Sequence, residues 1–185
     1  MFKVGIIGPE SSGKSTLCEY LAKRYDGILV PEYARTYVEQ KGTTEVTFDE
    51  LCHIARHQIE ELKLTANSQQ PTANSQQPTA NSQQPTANSQ QPTANSQQPI
   101  AIFDTELVVT KVWFDYAFGR VPEWLNENIR RYPMDVYLLT YPDLPWMPDP
   151  ARSNGSDAIR MELFNRYEAE IQALDIPYYI IKHQI

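Results

Sequence analysis

The chain has 185 residues, of which 16 are Lys or Arg and 23 are Asp or Glu, leaving a net charge of −7. An acidic domain repels a polyphosphate backbone, which argues against a nucleic-acid partner, and two scattered cysteines, Cys18 and Cys52, rule out a disulfide framework. No apolar run approaches the ~20 residues of a membrane span, and the N-terminus enters an apolar strand with no basic, apolar leader, so a soluble cytoplasmic protein is expected.

Residues 2–7 read as a strand suited to burial on both faces of a parallel sheet. Gly8-Pro9-Glu10-Ser11-Ser12-Gly13-Lys14-Ser15 follows, and then Thr16 and a helix over 14–25 with Leu17 and Leu21 at helical spacing. This is G-x-x-x-x-G-K-[ST] between a strand and a helix, the context that gives the motif its meaning. The glycines let backbone N–H groups curl around phosphate oxygens, and the helix N-terminus adds partial positive charge. Residues 8–16 are therefore the expected site for ATP, with Lys14 reaching the β- and γ-phosphates and the Ser15 hydroxyl on Mg²⁺.

Asp26-Gly27 ends the helix, and Ile28-Leu29-Val30 is a short strand stopped by Pro31. Glu32-Tyr33-Ala34-Arg35-Thr36-Tyr37 lies directly beyond that strand's carboxyl end, the edge where open α/β sheets bind ligands. Thr47 and Glu50 form a capping box ahead of a helix over 48–64, with Leu51, Ile54, Ala55, Ile59 and Leu62 on one face. His53 and His57 lie one turn apart on it. Without a third ligand nearby, a plain surface or core role is expected, ahead of a pocket-wall contact for His57 and ahead of a zinc site.

Residues 65–99 are five copies of Thr-Ala-Asn-Ser-Gln-Gln-Pro, with no charge and nothing more apolar than alanine and proline. Such a tract cannot bury enough surface to offset its ordering entropy, and its recurring prolines break a helix. A flexible, solvated insertion in one domain spanning 1–185 is expected. Ile100-Ala101-Ile102-Phe103-Asp104 then resumes the core, and an acid ending a buried strand fits the Walker-B position that assists Mg²⁺. Asp104 also suits the cap of the next helix, about 105–118, and the two roles are compatible. That helix carries Trp113, Phe114, Tyr116 and Phe118, of which one facing the sheet edge can stack on a flat substrate ring.

A helix over about 122–131 and a strand over 136–139 lead into a proline-punctuated loop, 141–150. Arg152 and Arg160 flank the start of a helix capped by Ser156 and running to about 174, and they suggest a closing lid over the triphosphate. Residues 177–181 form the fifth strand.

Taken in order, Gly-Pro-Glu-Ser-Ser-Gly-Lys-Ser-Thr, Pro-Glu-Tyr-Ala-Arg-Thr-Tyr, Phe-Asp-Thr-Glu, and Trp146 ahead of Asp149 and Arg152-Ser153 resemble one family. It is the ribosylnicotinamide kinase domain of the bifunctional bacterial NAD-salvage regulators, with its stand-alone AAA-type ATPase relatives. The resemblance covers the chain outside the repeat. It implies an α/β P-loop fold of the nucleoside-kinase kind, a three-layer sandwich around a parallel five-stranded sheet of order 2-3-1-4-5. It also implies ATP- and Mg²⁺-dependent phosphorylation of a small nucleoside, nicotinamide riboside, to its mononucleotide.

In that reading Ser15 and Asp104 hold the metal, and Glu32 or Asp104 accepts the proton of the sugar hydroxyl, with Glu32 preferred because the metal occupies Asp104. Tyr33, Arg35 and Trp113 hold the acceptor, while Arg152 and Arg160 close over the γ-phosphate. The rivals are a kinase of another nucleoside and a nucleotide-dependent ATPase or regulatory module. The sequence leaves the oligomeric state open.

Overall fold

The computed structural model describes residues 1–67, 98–149 and 155–183. Residues 68–97, and with them most of the repeat, lie outside the described residues, as does Arg152. The strands are β1 (Phe2–Ile7), β2 (Ile28–Val30), β3 (Ile100–Asp104), β4 (Val136–Thr140) and β5 (Tyr178–Ile181). The helices are α1 (Lys14–Tyr25), α2 (Tyr33–Lys41), α3 (Phe48–Asn67), α4 (Leu107–Phe118), α5 (Glu123–Arg131) and α6 (Asp157–Ala173).

The five strands form one sheet of order β2-β3-β1-β4-β5, with every neighbouring pair parallel. Side chains alternate across it. Val4, Ile6 and Ile102 face Cys18, Leu17 and Leu21 of α1 on one side. Ile7, Ala101, Phe103, Tyr137 and Leu139 face the other side, where α3, α4 and α6 bring Ile54, Phe114 and Leu163. The result is the three-layer sandwich expected, and it explains why the strands read as unbroken apolar runs: both faces are covered. The sheet's edges are barer, with Ile28 and Leu29 on β2 and Tyr179 on β5 exposed.

The capping box forms as read. The Thr47 N–H donates to Glu50 Oε2 at 2.8 Å and the Glu50 N–H to Thr47 Oγ1 at 3.3 Å. Helix α3 buries the stripe of Leu51, Ile54, Ala55, Ile59 and Leu62, and it runs three residues into the repeat. There the buried Thr65 hydroxyl bonds the carbonyls of Glu61 and Leu62, each at 2.9 Å. Among the described residues no helix is long and apolar enough to cross a membrane.

Two elements differ from the sequence reading. Helix α2 forms directly after Glu32; it fully buries only Val38 and packs Tyr33, Ala34 and Tyr37 partly buried against the core. Helix α4 starts at Leu107, with Glu106 as its N-cap accepting from the Val108 N–H at 3.0 Å. Asp104 is therefore not a cap, because Thr105 at φ +72 turns the chain between strand and helix.

Candidate active site

Gly8 to Gly13 join the carboxyl end of β1 to the N-terminus of α1, and three of these residues have positive φ: Gly8 (150°), Ser11 (52°) and Gly13 (79°). At Gly8 a Cβ would collide with the side chain and carbonyl of Thr140 at the end of β4, so only glycine allows the loop to leave the sheet there. Ser12 Oγ donates to the Pro9 carbonyl at 2.7 Å and meets Thr140 Oγ1 at 2.5 Å. That side chain is 1% exposed, so Ser12 presents its backbone and not its hydroxyl outside the loop. Lys14 Nζ lies across the loop and donates to the Pro9 carbonyl at 2.9 Å. Ser15 follows in the first turn of α1, partly exposed, and Thr16 is exposed.

Arg160 corrects the expectation of a lid. It is 1% exposed at the start of α6. Its Nε donates to the Glu10 carbonyl at 3.1 Å, and its Nη2 to the carbonyls of Ser11 at 3.2 Å and Leu144 at 2.8 Å. The planar guanidinium thus joins two carbonyls of the phosphate loop to one of the loop after β4, and its Nη1 donates to Asp157 Oδ1 at 3.2 Å, so that it braces the phosphate loop. Whether Arg152 closes over the nucleotide falls outside the described residues.

Beside the loop opens a cavity of about 210 Å³. Glu10, Lys14, Glu32 and Arg35 line its polar part, and Val38, Leu51, Ile54, Val109, Trp113 and Phe118 its apolar part. Glu32 sits at the N-cap position of α2 but makes no side-chain cap, and its carboxylate lies 3.8 Å from Arg35 Nε. Arg35 itself is gripped by Asp149, at 2.8 and 3.2 Å, and by Glu39 at 3.3 Å, which ties α2 to the loop after β4. Trp113 is half-buried, edge-on to Tyr116 at 5.7 Å, and available as a flat wall. The structure brings these predicted residues to one place.

Tyr33 is not among them, a second correction. Its ring stacks on His57 at 3.5 Å with planes 4° apart, and its hydroxyl meets His53 Nε2 at 3.1 Å. These contacts fasten α2 to α3 and turn Tyr33 away from the cavity. Burial, and then the charge of His53, hold His57 below its ordinary value. Among the described residues no cluster of three His, Cys, Asp or Glu side chains could cage a metal.

Asp104 ends β3 and is 6% exposed; its Oδ1 is shielded from solvent and has no hydrogen-bond partner. An orphaned carboxylate oxygen beneath a phosphate loop fits Mg²⁺, an ion usually held by one or two protein oxygens plus substrate phosphates. Ser15 and Asp104 are the residues present to hold it. Burial, followed by the Asp104 carboxylate, pushes the neighbouring Cys18 thiol far above its ordinary value.

Sequence reasoning missed three residues. His183, just beyond β5, accepts position from Asp143: its N–H donates to Oδ2 at 2.9 Å and its Nδ1 lies 3.0 Å from Oδ1. Its ring sits against Gly13, where a Cβ would come within 2.8 Å of Nε2. The signal available was its place at a strand's carboxyl end. Tyr167, on α6, lines the cavity, and burial followed by the Glu32 and Glu10 carboxylates keeps its hydroxyl protonated. Thr105 also lines the cavity, in a left-handed conformation that costs a non-glycine residue about 1–2 kcal/mol.

Among curated proteins, the chain is 27% identical over 168 residues to the trifunctional NAD biosynthesis/regulator protein NadR of Escherichia coli and 26% identical to that of Salmonella typhimurium. Each alignment covers 88% of this chain and 33% of the relative, so the chain spans about a third of their length. Among solved structures, it superposes on NadR in complex with NAD and AMP-PNP with a TM-score of 0.65 at 21% identity, covering 98% of this chain and 44% of that one. NadR in complex with NR gives 0.64, also at 21% identity, over 97% and 43%. Thymidylate kinase of Ehrlichia chaffeensis gives 0.60 at 12% identity, over 100% and 88%, a likeness of fold. A family model described as an AAA domain matches residues 3–185, and with the phosphate loop, the strand order and the carboxylate ending β3 all in place, the chain belongs to that AAA domain family.

Proposed function

We propose that the chain is an ATP-dependent phosphotransferase that passes the γ-phosphoryl group of ATP to a sugar hydroxyl of nicotinamide riboside. The observation that carries this reading is the cavity beside the phosphate loop, with a carboxylate, Glu32, in its polar part and an indole, Trp113, in its apolar part. A nucleotide switch needs no such second chamber. The NR bound in the NadR structure it resembles supports the choice of acceptor.

Phosphoryl transfer depends on positioning and on charge neutralisation. Backbone N–H groups of residues 8–13 and Lys14 hold the triphosphate. Ser15 and Asp104 would hold Mg²⁺, which would neutralise the charge developing on the phosphate oxygens. Glu32 takes the proton of the acceptor hydroxyl as its oxygen forms the bond to the γ-phosphorus. The bond from that phosphorus to the β–γ bridging oxygen breaks, and ADP leaves. Trp113 stacks on the base, and Arg35, fixed by Asp149, shapes the wall behind the sugar.

The test is ADP release measured with and without nicotinamide riboside, adenosine, cytidine and thymidine. Turnover should depend strongly on nicotinamide riboside, and Glu32→Gln should lose at least ~100-fold in rate while keeping ATP affinity. ATP turnover indifferent to every nucleoside would sink the transferase reading.

A further inference from the structure

Thr105 combines two features that the folded protein gains nothing from. Its backbone stands at φ +72, the left-handed region in which a β-branched side chain is most crowded. Its N–H donates to the Ile6 carbonyl at 3.1 Å, which extends the β3–β1 pairing by one residue and pins the strained conformation. The side chain is 6% exposed, and its hydroxyl oxygen is shielded from solvent with no hydrogen-bond partner. Glycine would relieve the backbone, and any apolar side chain would remove the orphaned hydroxyl. Strain and unpaired polar groups of this kind gather where a ligand completes the site.

The residue lines the same cavity as Lys14, Glu32 and Trp113, and it directly follows Asp104. We infer that the Thr105 hydroxyl is a contact of the acceptor and hydrogen-bonds one of its sugar hydroxyls when the cavity fills. A lone hydroxyl can both donate and accept, which matches another alcohol. The Glu10 and Glu32 carboxylates share this cavity and favour a neutral polar group there over a further anion. The inference rests on the acceptor reading above for the choice of test compound.

The experiment compares Thr105→Val, which keeps size, branching and strain but loses the hydroxyl, with Thr105→Ser, which keeps the hydroxyl. For nicotinamide riboside, the valine variant should raise the acceptor KM about three- to tenfold, the worth of one neutral hydrogen bond, with the ATP KM unchanged. The serine variant should stay within about twofold of the parent. Without any ligand, the urea midpoint of the valine variant should equal or exceed the parent's, because a methyl replaces an unpaired hydroxyl. An unchanged acceptor KM in the valine variant overturns the inference. So does a fallen midpoint, which means that the hydroxyl is bonded within the protein, and this holds even if no nucleoside is turned over. If the parent uses adenosine, cytidine or thymidine and not nicotinamide riboside, the acceptor reading fails, and the same KM ratios on that nucleoside judge Thr105.

Discussion

Replacing Arg160 with methionine removes a cation that is 1% exposed and bonded to three backbone carbonyls, those of Glu10, Ser11 and Leu144. Its ion-pair partner Asp157, at 3.2 Å, has a side chain 93% exposed, so that pair adds little. Each bond from a charged donor is worth about 1.5–3 kcal/mol, so a plain sum runs to roughly 4.5–9 kcal/mol. Water reaching the freed carbonyls, and methionine filling the space, recover part of this, which leaves a loss on the order of 3–5 kcal/mol. With a urea slope of about 2 kcal/mol per molar, the midpoint should fall by roughly 1.5–2.5 M. The ATP KM should rise with it, because two of the three carbonyls belong to the phosphate loop. Arg160→Lys keeps the charge without the planar fork and should fall between the two. The assay is urea unfolding alongside steady-state kinetics. A midpoint within ~0.3 M of the parent, with kcat lowered at constant ATP KM, would refute the brace and return Arg160 to the γ-phosphate.

Asp104→Asn should raise the Mg²⁺ concentration giving half-maximal rate by at least about tenfold, the scale on which even outer-shell changes alter metal affinity. A Mg²⁺ titration of the rate checks it, and an unmoved curve with lowered kcat would exchange the roles of Asp104 and Glu32. Glu106 is fully buried, and burial, against the N–H groups of Val108 and Leu107, pushes its carboxyl up to about 8 from an ordinary 4.5. Its contribution to stability is therefore full below pH 4.5 and is lost as the pH rises toward 8. Glu106→Gln should flatten the fall of the urea midpoint between pH 5 and 8, and parallel pH curves for both proteins would contradict this. Deleting residues 72–99 removes four of the five repeats and leaves Pro71 directly before Ile100, in the place of Pro99, whose carbonyl accepts from the Phe2 N–H at 2.7 Å. Rate should stay within about twofold and stability should rise by about 1 kcal/mol from shorter loop closure, as read by kinetics and denaturant midpoint.

Local chemistry made much of the fold legible. The phosphate loop, the strands and the capping box at Thr47 and Glu50 each follow from residues close together in the chain, and each is where the pattern put it. Helix α2 was not legible because its stability comes from partners on other elements: Tyr33 on His57, Tyr37 near Glu50, Arg35 on Asp149. In the candidate site, Glu32 and Arg35 were singled out by their position beyond the carboxyl end of β2 and Trp113 as an aromatic of the next helix, and all three line one cavity. Arg160 was read as part of a lid because it follows a proline-punctuated loop at the start of a helix, where an arginine looks free to move. Its partners are carbonyls, which every residue has, so no side chain in the sequence announces them. Thr105 was passed over for a related reason, since a backbone dihedral leaves no trace in composition when the residue is not glycine.

The chain's two thiols, Cys18 under the phosphate loop and Cys52 on α3, are both buried and both held above the ordinary thiol range, chiefly by burial. Neither presents a thiolate at neutral pH while its surroundings stay closed. An alkylating reagent therefore consumes each one only as fast as its own neighbourhood opens. Cys18 packs with Val4, Ile6 and Ile102 on the α1 side of the sheet, whereas Cys52 belongs to the cluster on the opposite side. The sequence thus carries two clocks on opposite faces of one sheet, and their separate rates time the breathing of the two packed layers without an introduced label.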